Sequence, residues 1–217
     1  VYTTATTWRF GPRVAVWRYD TIVLTSLTDE QWHFRNFEKL AKALRGTTDE
    51  AVISFAQVYC KTKRNLDDAS REFGFSWADP NDEVKRQMTI ALGGIAATNE
   101  IQLSVCSQRQ YLVPGVIDAR CVDAERLSDV AGRPVRAKLK GNRKDCGCYE
   151  SKDIGAYDTC PHGCAYCYAV SSRQNALASY RTHDPCCAFL RTSEASEAEN
   201  DDISGGRDER TQGTLFD

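Results

Sequence analysis

The sequence lacks the features by which exported and membrane-bound chains are recognised. It contains no run of about 18 apolar residues, the length that a transmembrane helix requires. The first seven residues, Val-Tyr-Thr-Thr-Ala-Thr-Thr, lack the basic and apolar regions of a signal peptide. We therefore expect a cytoplasmic protein that has no membrane partner.

A strong net charge and an internal repeat are also absent. The 28 basic and 30 acidic residues nearly cancel, which leaves a net charge of −2. With so small a net charge, the protein as a whole has no electrostatic field that would attract it to nucleic acid or anionic lipid. Its 217 residues, 41% of them hydrophobic, suit a globular protein with its own core. An initiator methionine is lacking as well, so we expect a processed chain or a fragment.

Cysteine, in contrast, is abundant. The chain has ten cysteines, and seven of them lie between Cys146 and Cys187. In a chain without export features, a group of cysteines more often indicates metal ligands than disulfides. Cys60 stands apart from the others, and we expect it to be a buried small hydrophobic residue.

The most informative spacing is C-x3-C-x2-C, formed by Cys160, Cys164 and Cys167. Three thiolates at this spacing can hold three irons of one [4Fe–4S] cluster and leave the fourth iron open. An open iron can bind and reductively split S-adenosylmethionine, which gives access to radical chemistry. Structural zinc sites use similar short spacings but usually take four protein ligands. The spacing therefore predicts a metal, with an iron–sulfur cluster favoured over zinc.

Two residues in the same stretch are candidates for cofactor contacts. Gly163 lets the backbone pass close to a cluster, where backbone N–H groups can bond to its sulfides. Tyr166 can shield the cluster or touch a bound adenine, and simple packing of its ring is the alternative.

Four further cysteines are candidates for a second metal site. Cys106 follows a predicted strand, Cys121 precedes a predicted short helix, and one glycine separates Cys146 from Cys148. Together these thiols would complete an all-cysteine site for zinc or a second cluster. The alternative is that Cys106 and Cys121 are core residues, with Cys146 and Cys148 as loop thiols.

Strands and helices alternate along the first part of the chain, which predicts parallel strands. We expect an α/β fold, either a partial (β/α) barrel or a short open parallel sheet, with its site at the carboxyl ends of the strands. A polar stretch at 61–71 follows the second strand and precedes a predicted turn at 79–81. The predicted elements are a strand at 13–20, a helix from Thr28 to Gly46, a strand at 51–55, a helix from about Pro80 to Thr98, a strand at 101–105 and a short helix from Asp123 to Gly132.

Arg18 and Asp20 are the candidate catalytic residues, because they lie at the end of the first predicted strand. In a parallel α/β layout, contacts to substrate or cofactor fall at that edge. A local ion pair between the two side chains is the alternative.

The composition divides the chain into three regions. Residues 1–132 form the strand–helix domain, residues 133–190 a cysteine-rich lobe, and residues 191–217 an acidic tail that is predicted to be disordered. The lobe opens with a basic segment at 133–144, which can follow a nucleic-acid backbone or form a solvated loop.

The tail ends in a short apolar motif. Gln212, Leu215 and Phe216 form the pattern Q-x-x-L-F, which resembles the peptide that bacterial proteins insert into the sliding clamp. Two apolar anchors on a polar tail are otherwise exposed without benefit, so a sliding clamp is a candidate partner.

The run from Cys146 to Ala169 closely resembles the family of the domain of unknown function numbered 1848. Segments 16–20, 52–55 and 183–185 look like further blocks of that family, so the resemblance spans most of residues 12–190. The cysteine triad is also similar to that of radical S-adenosylmethionine enzymes. It looks most like the spore-photoproduct-lyase-like group, whose motif ends similarly in Tyr-Cys-Tyr.

The chain departs from these families in three ways. The triad lies near the C-terminus rather than near the start of a barrel. The N-terminal strand–helix units of the family are missing from the chain. Thr21 follows Asp20 where the family tends to have proline.

The resemblance implies an iron–sulfur protein of the radical S-adenosylmethionine type. One electron from a donor would cleave bound S-adenosylmethionine to a 5′-deoxyadenosyl radical, which would abstract hydrogen from the substrate. The substrate is an unknown small molecule or nucleic acid, and nucleic-acid repair or modification is the class to test first. A non-catalytic module held together by zinc or a cluster is the alternative.

Overall fold

The structure, a computed structural model, describes residues 7–141, 145–152 and 154–190. The chain divides into two compact units, Val1–Lys152 and Asp153–Asp217. The first unit therefore includes Cys146 and Cys148, and the second includes the cysteine triad. The boundary expected between residues 132 and 133 is based on composition and stays a prediction. The tail at 191–217 and its clamp-like motif lie outside the described residues.

None of the helices in the described ranges has the length and hydrophobicity that a membrane span needs.

The first unit alternates strands and helices. The strands are β1 (Trp17–Ile22), β2 (Leu24–Thr25), β3 (Glu50–Phe55), β4 (Trp77–Ala78), β5 (Gln102–Val105) and β6 (Ile117–Asp118). The helices are α1 (Glu30–Leu44), α2 (Cys60–Phe73), α3 (Asp82–Thr98) and α4 (Ala124–Ala131), with 3-10 turns at Pro12–Val14 and Arg109–Tyr111.

Four of these strands form a parallel sheet in the order β1-β3-β5-β6. The register aligns Tyr19 with Ile53, Ile53 with Val105, and Val105 with Asp118. The carboxyl ends of the four strands therefore share one edge. β2 and β4 pair separately as a short antiparallel ribbon. The predicted α/β class and the short open parallel sheet are confirmed, and the described strands do not close into a barrel.

One face of the sheet carries the hydrophobic core. Trp17 stacks on Phe37 of α1 with ring centroids 4.5 Å apart, and Tyr19 meets the same ring edge-on at 5.1 Å. Successive side chains of a strand point to opposite faces, so every second residue of the neighbouring strands joins this layer. Its most deeply buried members include Ile53, Leu103 and Val105 from the sheet and Met88 and Leu92 from α3.

The opposite face holds an ion-pair network. Arg126 of α4 donates to Oε2 of Glu50 at 2.6 Å and to Oδ1 of Asp49 at 2.8 Å, and its side chain is only 11% exposed. Glu50 also accepts a hydrogen bond from Ser104 Oγ at 2.7 Å. A charge removed from water needs such partners, because an unpaired buried charge is strongly destabilising. The network therefore fixes α4 against the beginning of β3.

Sequence signals predict several helix ends correctly. Asp123 caps α4, and Gly132 ends that helix in the left-handed conformation with a φ of 62°. Asp29, rather than the expected Thr28, caps α1, because its carboxylate accepts the N–H of Trp32 at 2.7 Å.

One helix is not indicated by the sequence, and two expectations about local structure are wrong. The polar stretch at 61–71 belongs to α2, whose buried side comprises only Thr62 and Leu66, one turn apart. That stripe is too narrow to give a clear apolar period. Cys60 is exposed at the first position of α2 rather than buried. β1 begins at Trp17 rather than at residue 13, because a 3-10 turn precedes it.

The second unit is described from residue 154 to residue 190. Its helix α5 (Arg173–Thr182) begins after Ser172, whose hydroxyl accepts the N–H of Asn175 at 3.0 Å. The rest of the described unit consists of turns, bends and irregular backbone. The cysteine triad therefore lies on a loop that leads into α5.

Candidate functional site

The parallel sheet brings together residues from distant parts of the chain. Arg18 and Asp20 come from β1, Cys106 directly follows β5, and Cys121 lies in the loop between β6 and α4. We call these four residues the strand-end cluster. Because side chains alternate along β1, Arg18 and Asp20 point to the face opposite the aromatic core.

Arg18 is the centre of the strand-end cluster. Its Nη2 donates to Oδ2 of Asp20 at 2.6 Å, and its Nη1 donates to Sγ of Cys121 at 3.0 Å. Ser54 donates a longer hydrogen bond, at 3.5 Å, to the same Asp20 oxygen. Burial opposes the charge of Arg18, but its hydrogen bonds to Asp20 and Cys121 outweigh burial and raise its pKa. Arg18 and Asp20 therefore form an ion pair within a larger constellation.

Cys106 and Cys121 form a pair of thiols whose sulfurs lie 3.4 Å apart. Neither is joined in a disulfide, and Cys121 is exposed whereas Cys106 is half-buried. The hydrogen bond from Cys121 lowers the pKa of Cys106, and the same bond raises the pKa of Cys121. The two sulfurs therefore favour sharing one proton next to the Arg18 cation.

Cys148 adjoins the strand-end cluster and is only 5% exposed. Its Sγ accepts the backbone N–H of Cys121 at 3.1 Å. Burial raises the pKa of the Cys148 thiol, and its hydrogen bond with Cys146 raises it further. The four cysteines of the predicted second site thus lie in contact as a series, from Cys106 through Cys121 and Cys148 to Cys146.

A close approach of two backbone segments positions Cys146 and Cys148. The N–H of Lys140 donates to the carbonyl of Cys148 at 3.0 Å. Gly141 faces Cys146 so closely that an added Cβ would lie 2.1 Å from the Cys146 carbonyl oxygen. Only glycine fits at position 141 without moving the backbone of the Cys-x-Cys segment.

Asp118 ends β6 near this segment and is not among the residues that the sequence analysis selects. Its Oδ2 accepts from Nε of Arg109 at 2.8 Å. Its Oδ1 is buried and has no hydrogen-bond partner among the described residues. A Cβ added at Gly147 would lie 3.7 Å from Oδ2, so Asp118 adjoins the Cys-x-Cys segment. A buried oxygen without a partner is unfavourable, which makes Asp118 a further candidate for ligand contact.

The second group of predicted residues lies in residues 158–169, which we call the triad loop. Asp158 closes its base, because its N–H donates to the carbonyl of Ala169 at 3.0 Å and its carboxylate accepts the Ser171 hydroxyl at 2.6 Å. Within the loop, the N–H of Cys167 donates to the carbonyl of Cys164 at 3.0 Å. This tight turn keeps the last two cysteines of the triad close together along the backbone.

The triad thiols are accessible to solvent. Cys160 and Cys164 are exposed, Cys167 is half-buried, and none of the three is in a disulfide. Gly163 has a φ of 71°, which glycine adopts without strain, and an added Cβ would lie 3.3 Å from Nε of Arg173. Tyr166 is 42% exposed. Cofactor contacts of Gly163 and Tyr166 stay predictions.

Across residues 7–141, 145–152 and 154–190, no group of three or more His, Cys, Asp or Glu residues is arranged to hold a metal ion. A single ion needs ligands that converge on one point, as they do around tetrahedral zinc. In a cubane cluster, each thiolate binds a different iron, so its sulfurs stay farther apart. The donor chemistry of the triad, three thiols without disulfides on one short loop, fits such a cluster.

The predicted site residues therefore form two groups, one in each compact unit. Sequence reasoning identifies the members of the first group but not their contacts, and it misses Ser54 and Asp118. The only signal for Asp118 is its position before a loop, because β6 is too short to show a strand pattern. The first group comprises Arg18, Asp20, Cys106, Cys121, Cys146 and Cys148; the second comprises Cys160, Gly163, Cys164, Tyr166 and Cys167.

Comparison with known proteins gives one family. The family model described as a domain of unknown function (DUF1848) matches residues 4–169. The chain belongs to the DUF1848 family. This DUF1848 match spans both the strand-end cluster and the triad loop. No curated protein and no solved structure matches the chain.

Proposed function

We propose that this DUF1848 protein is an iron–sulfur protein of the radical S-adenosylmethionine type, with Cys160, Cys164 and Cys167 as the ligands of a [4Fe–4S] cluster. The observation that carries the proposal is the triad loop, where three accessible thiols without disulfides follow the C-x3-C-x2-C spacing. When bound, such a cluster supplies the electron for reductive cleavage of S-adenosylmethionine, and it requires an electron donor as partner.

Residues around the triad support this ligand role. Asp158 ties both ends of the loop together, so the three thiols need not be gathered from a freely moving chain. Arg173 lies beside Gly163 and places a cation next to the loop. A cluster held by three thiolates is anionic overall, so this cation stabilises the loaded loop.

The strand-end cluster supplies the second half of the proposal, a surface for the substrate. A guanidinium has five N–H donors and binds carboxylates or phosphates through two parallel hydrogen bonds. Arg18 can therefore keep its contacts to Asp20 and Cys121 and still bind an anionic group. Asp20 remains available to accept a hydrogen bond from a substrate hydroxyl or amine. Both residues are proposed to contact the substrate.

Exposed basic residues of the first unit support nucleic acid as the substrate class to test first. Arg133, Arg136, Lys138 and Lys140 are all exposed. Fluorescence anisotropy with a labelled single-stranded oligonucleotide at several salt concentrations tests their role. Each phosphate contact that a Lys→Gln substitution removes should lower the slope of log K against log salt by about 1. Salt-independent or undetectable binding by the unmodified protein contradicts this substrate class.

Metal analysis tests the ligand assignment directly. After anaerobic reconstitution with iron and sulfide, we expect about four irons and four sulfides at the triad and absorbance near roughly 400 nm from thiolate-to-iron charge transfer. Cys164→Ala should lose that cluster, because two thiolates do not hold a cubane securely. Cys186→Ala is the matched control, since Cys186 is also exposed and lies outside the triad.

Two results would contradict the proposal. Unchanged iron content in Cys164→Ala removes the triad from the ligand set. A colourless protein with stoichiometric zinc, lost in Cys164→Ala, supports the non-catalytic metal-binding module in its place.

A further inference from the structure

We propose that Cys106 and Cys121 are a redox-active thiol pair that a low-molecular-weight disulfide oxidises to an intramolecular disulfide. This assigns to the two residues a role other than that of ligands in a second metal site. The pair itself does not depend on the proposed [4Fe–4S] cluster, because both thiols belong to the first compact unit.

The separation of the two sulfurs is the first observation behind the proposal. They lie 3.4 Å apart, although the two positions are 15 apart in the sequence. Bonded sulfurs lie about 2.05 Å apart, so roughly 1.4 Å of approach forms the bond. Both cysteines lie just outside regular elements, Cys106 after β5 and Cys121 between β6 and α4. Side-chain rotation can therefore supply this movement without breaking a strand or a helix.

Backbone hydrogen bonds keep the pair together while it is reduced. The N–H of Cys106 donates to the carbonyl of Ile53 at 2.9 Å, which extends the pairing of β5 with β3. The N–H of Cys121 donates to Sγ of Cys148 at 3.1 Å. These contacts hold the second thiol close to the first, so closing the disulfide is an intramolecular step with a high effective concentration.

The two thiols differ in access, which sets the order of events. Cys121 is exposed and receives a hydrogen bond from Arg18 at 3.0 Å, whereas Cys106 is half-buried. The two sulfurs share one proton, and when that proton lies on Cys106 the Cys121 sulfur is the thiolate beside the Arg18 cation. An incoming disulfide therefore meets Cys121 first, and Cys106 acts as the resolving thiol.

The reaction balances as a pair of thiol–disulfide exchanges. With the shared proton on Cys106, the Cys121 thiolate attacks one sulfur of the small disulfide, forms a mixed disulfide and releases one small thiolate. Cys106 gives its proton to the released small thiolate, and the resulting Cys106 thiolate attacks Sγ of Cys121 and displaces the second small thiolate. The protein loses one proton and two electrons, and the small disulfide becomes one small thiol and one small thiolate. The reverse exchange with excess small thiol restores the reduced pair.

Oxidation changes the partners of Arg18. The disulfide removes the negative charge that the two sulfurs share in the reduced pair, so Arg18 loses that charge as a partner and keeps Asp20. The guanidinium then has more capacity for an external anion. This consequence rests on the proposed substrate role of Arg18, whereas formation of the disulfide does not.

Peptide mapping tests the pair in the full chain. The reduced protein is equilibrated with glutathione and glutathione disulfide at several ratios, quenched in acid, blocked with N-ethylmaleimide and digested with trypsin. Cleavage after Arg86, Arg109, Arg120 and Arg126 places Cys106 alone in peptide 87–109 and Cys121 alone in peptide 121–126. We expect these two peptides to be linked under oxidising ratios and released by dithiothreitol.

Two variants sharpen the test. Removal of the resolving thiol in Cys106→Ser should trap glutathione on peptide 121–126, at about ten times the level in the unmodified protein. Cys60→Ser is the control and should leave the 87–109/121–126 link unchanged, because Cys60 is an exposed thiol on α2. Circular dichroism checks that each variant is folded, and the linked peptides of the unmodified protein decide the question if Cys106→Ser does not fold.

Three outcomes would overturn the proposal. The first is no linked peptide under conditions in which Cys60 becomes glutathionylated. The second is a link from Cys121 to peptide 145–152, which contains Cys146 and Cys148, in place of peptide 87–109. The third is stoichiometric zinc that shields both thiols from N-ethylmaleimide and is lost in Cys121→Ser. Loss of iron in Cys164→Ala has no bearing on these outcomes, so the two proposals fail separately.

Discussion

The strand-end cluster and the triad loop are both rich in cysteine, but they are built differently. In the strand-end cluster, the sheet register and side-chain contacts fix each group, and Arg18 already has its partners at 2.6 and 3.0 Å. In the triad loop, the described backbone is irregular, and Cys160 and Cys164 are exposed. The first group is positioned by the sheet, and the second lies on an irregular loop whose base the contacts of Asp158 close.

This difference separates two uses of cysteine in one chain. Preorganised thiols can react with each other, because the fold has already offset the entropy of bringing them together. Loop thiols without such contacts gain their order from a ligand, and ligand binding then couples to local folding. We therefore expect core substitutions to change the stability of the first unit, and triad substitutions to change metal content and loop order.

Phe37→Ala should give the largest effect on the scaffold of the strand-end cluster. Phe37 is completely buried and contacts the rings of both Trp17 and Tyr19. Removing a buried aromatic ring leaves a cavity and lowers the free energy of unfolding by about 3–5 kcal/mol. Urea denaturation followed by tryptophan fluorescence measures this change.

Phe73→Ala is the matched control, because Phe73 is 68% exposed on α2. It should change the unfolding free energy by less than about 0.5 kcal/mol, as should Cys164→Ala in metal-free protein. Similar losses of unfolding free energy in Phe37→Ala, Phe73→Ala and Cys164→Ala would contradict the proposed difference between the sheet and the triad loop.

Arg126→Met should give the next largest effect. The substitution keeps an unbranched side chain but leaves Asp49 and Glu50 as like charges without their shared cation. Breaking a buried ion network lowers the free energy of unfolding by about 3–5 kcal/mol. Because Asp49 is partly exposed, we expect a loss of about 3 kcal/mol. Arg71→Met, on an exposed helical pair with Asp68, should cost less than about 0.5 kcal/mol by the same urea assay. An Arg126→Met loss as small as that of Arg71→Met would contradict the network's role.

Local chemistry predicts much of the scaffold. Capping side chains, a glycine stop and β-branched residues locate α4, β3 and most of α3, because their determinants are neighbours in the sequence. α2 escapes prediction because its buried side comprises only Thr62 and Leu66. β6 escapes because two residues cannot show an alternating pattern.

The candidate site is only half predictable for the same reason. The triad spacing is local and can be read directly, whereas Arg18 and Cys121 are 103 positions apart. Only the strand order β1-β3-β5-β6, set by tertiary pairing, brings their segments to one edge. The sequence therefore identifies the individual residues of the strand-end cluster, and the fold supplies their contacts.

Amide hydrogen exchange, measured segment by segment, should show the difference between the triad loop and the parallel sheet. If the triad binds the proposed cluster, we expect amide exchange in residues 158–169 to slow by at least about tenfold, equivalent to about 1.4 kcal/mol of local stabilisation. Amides of β5 are already in the sheet and should change little. Mass spectrometry of metal-free and reconstituted protein measures both regions in one sample. Equal slowing in β5 would mean that the loop is not the part that the ligand orders.

The smallest expected effect on the free energy of unfolding concerns His33 of the first unit, and this effect depends on pH. The ring lies between Tyr19, whose hydroxyl is 3.0 Å from Nδ1, and the carbonyl of Val23, 3.2 Å from Nε2. A neutral imidazole satisfies both, with Nδ1 accepting from the hydroxyl and Nε2–H donating to the carbonyl. Burial lowers the pKa of His33, and the Val23 carbonyl and the charge of Asp29 only partly offset it.

Because the folded pKa lies below the unfolded value of about 6.5, the unfolded chain binds the proton more readily as the pH falls. The free energy of unfolding should therefore fall below pH of about 6.5, by no more than about 1.4 kcal/mol per pH unit, until the folded pKa is reached. Urea titrations between about pH 5 and 7.5 should show a shallower dependence in His33→Gln. His162→Gln, at an exposed position in the triad loop, should keep the original dependence. The same slope in His33→Gln as in the unmodified protein would assign the acid sensitivity to other groups.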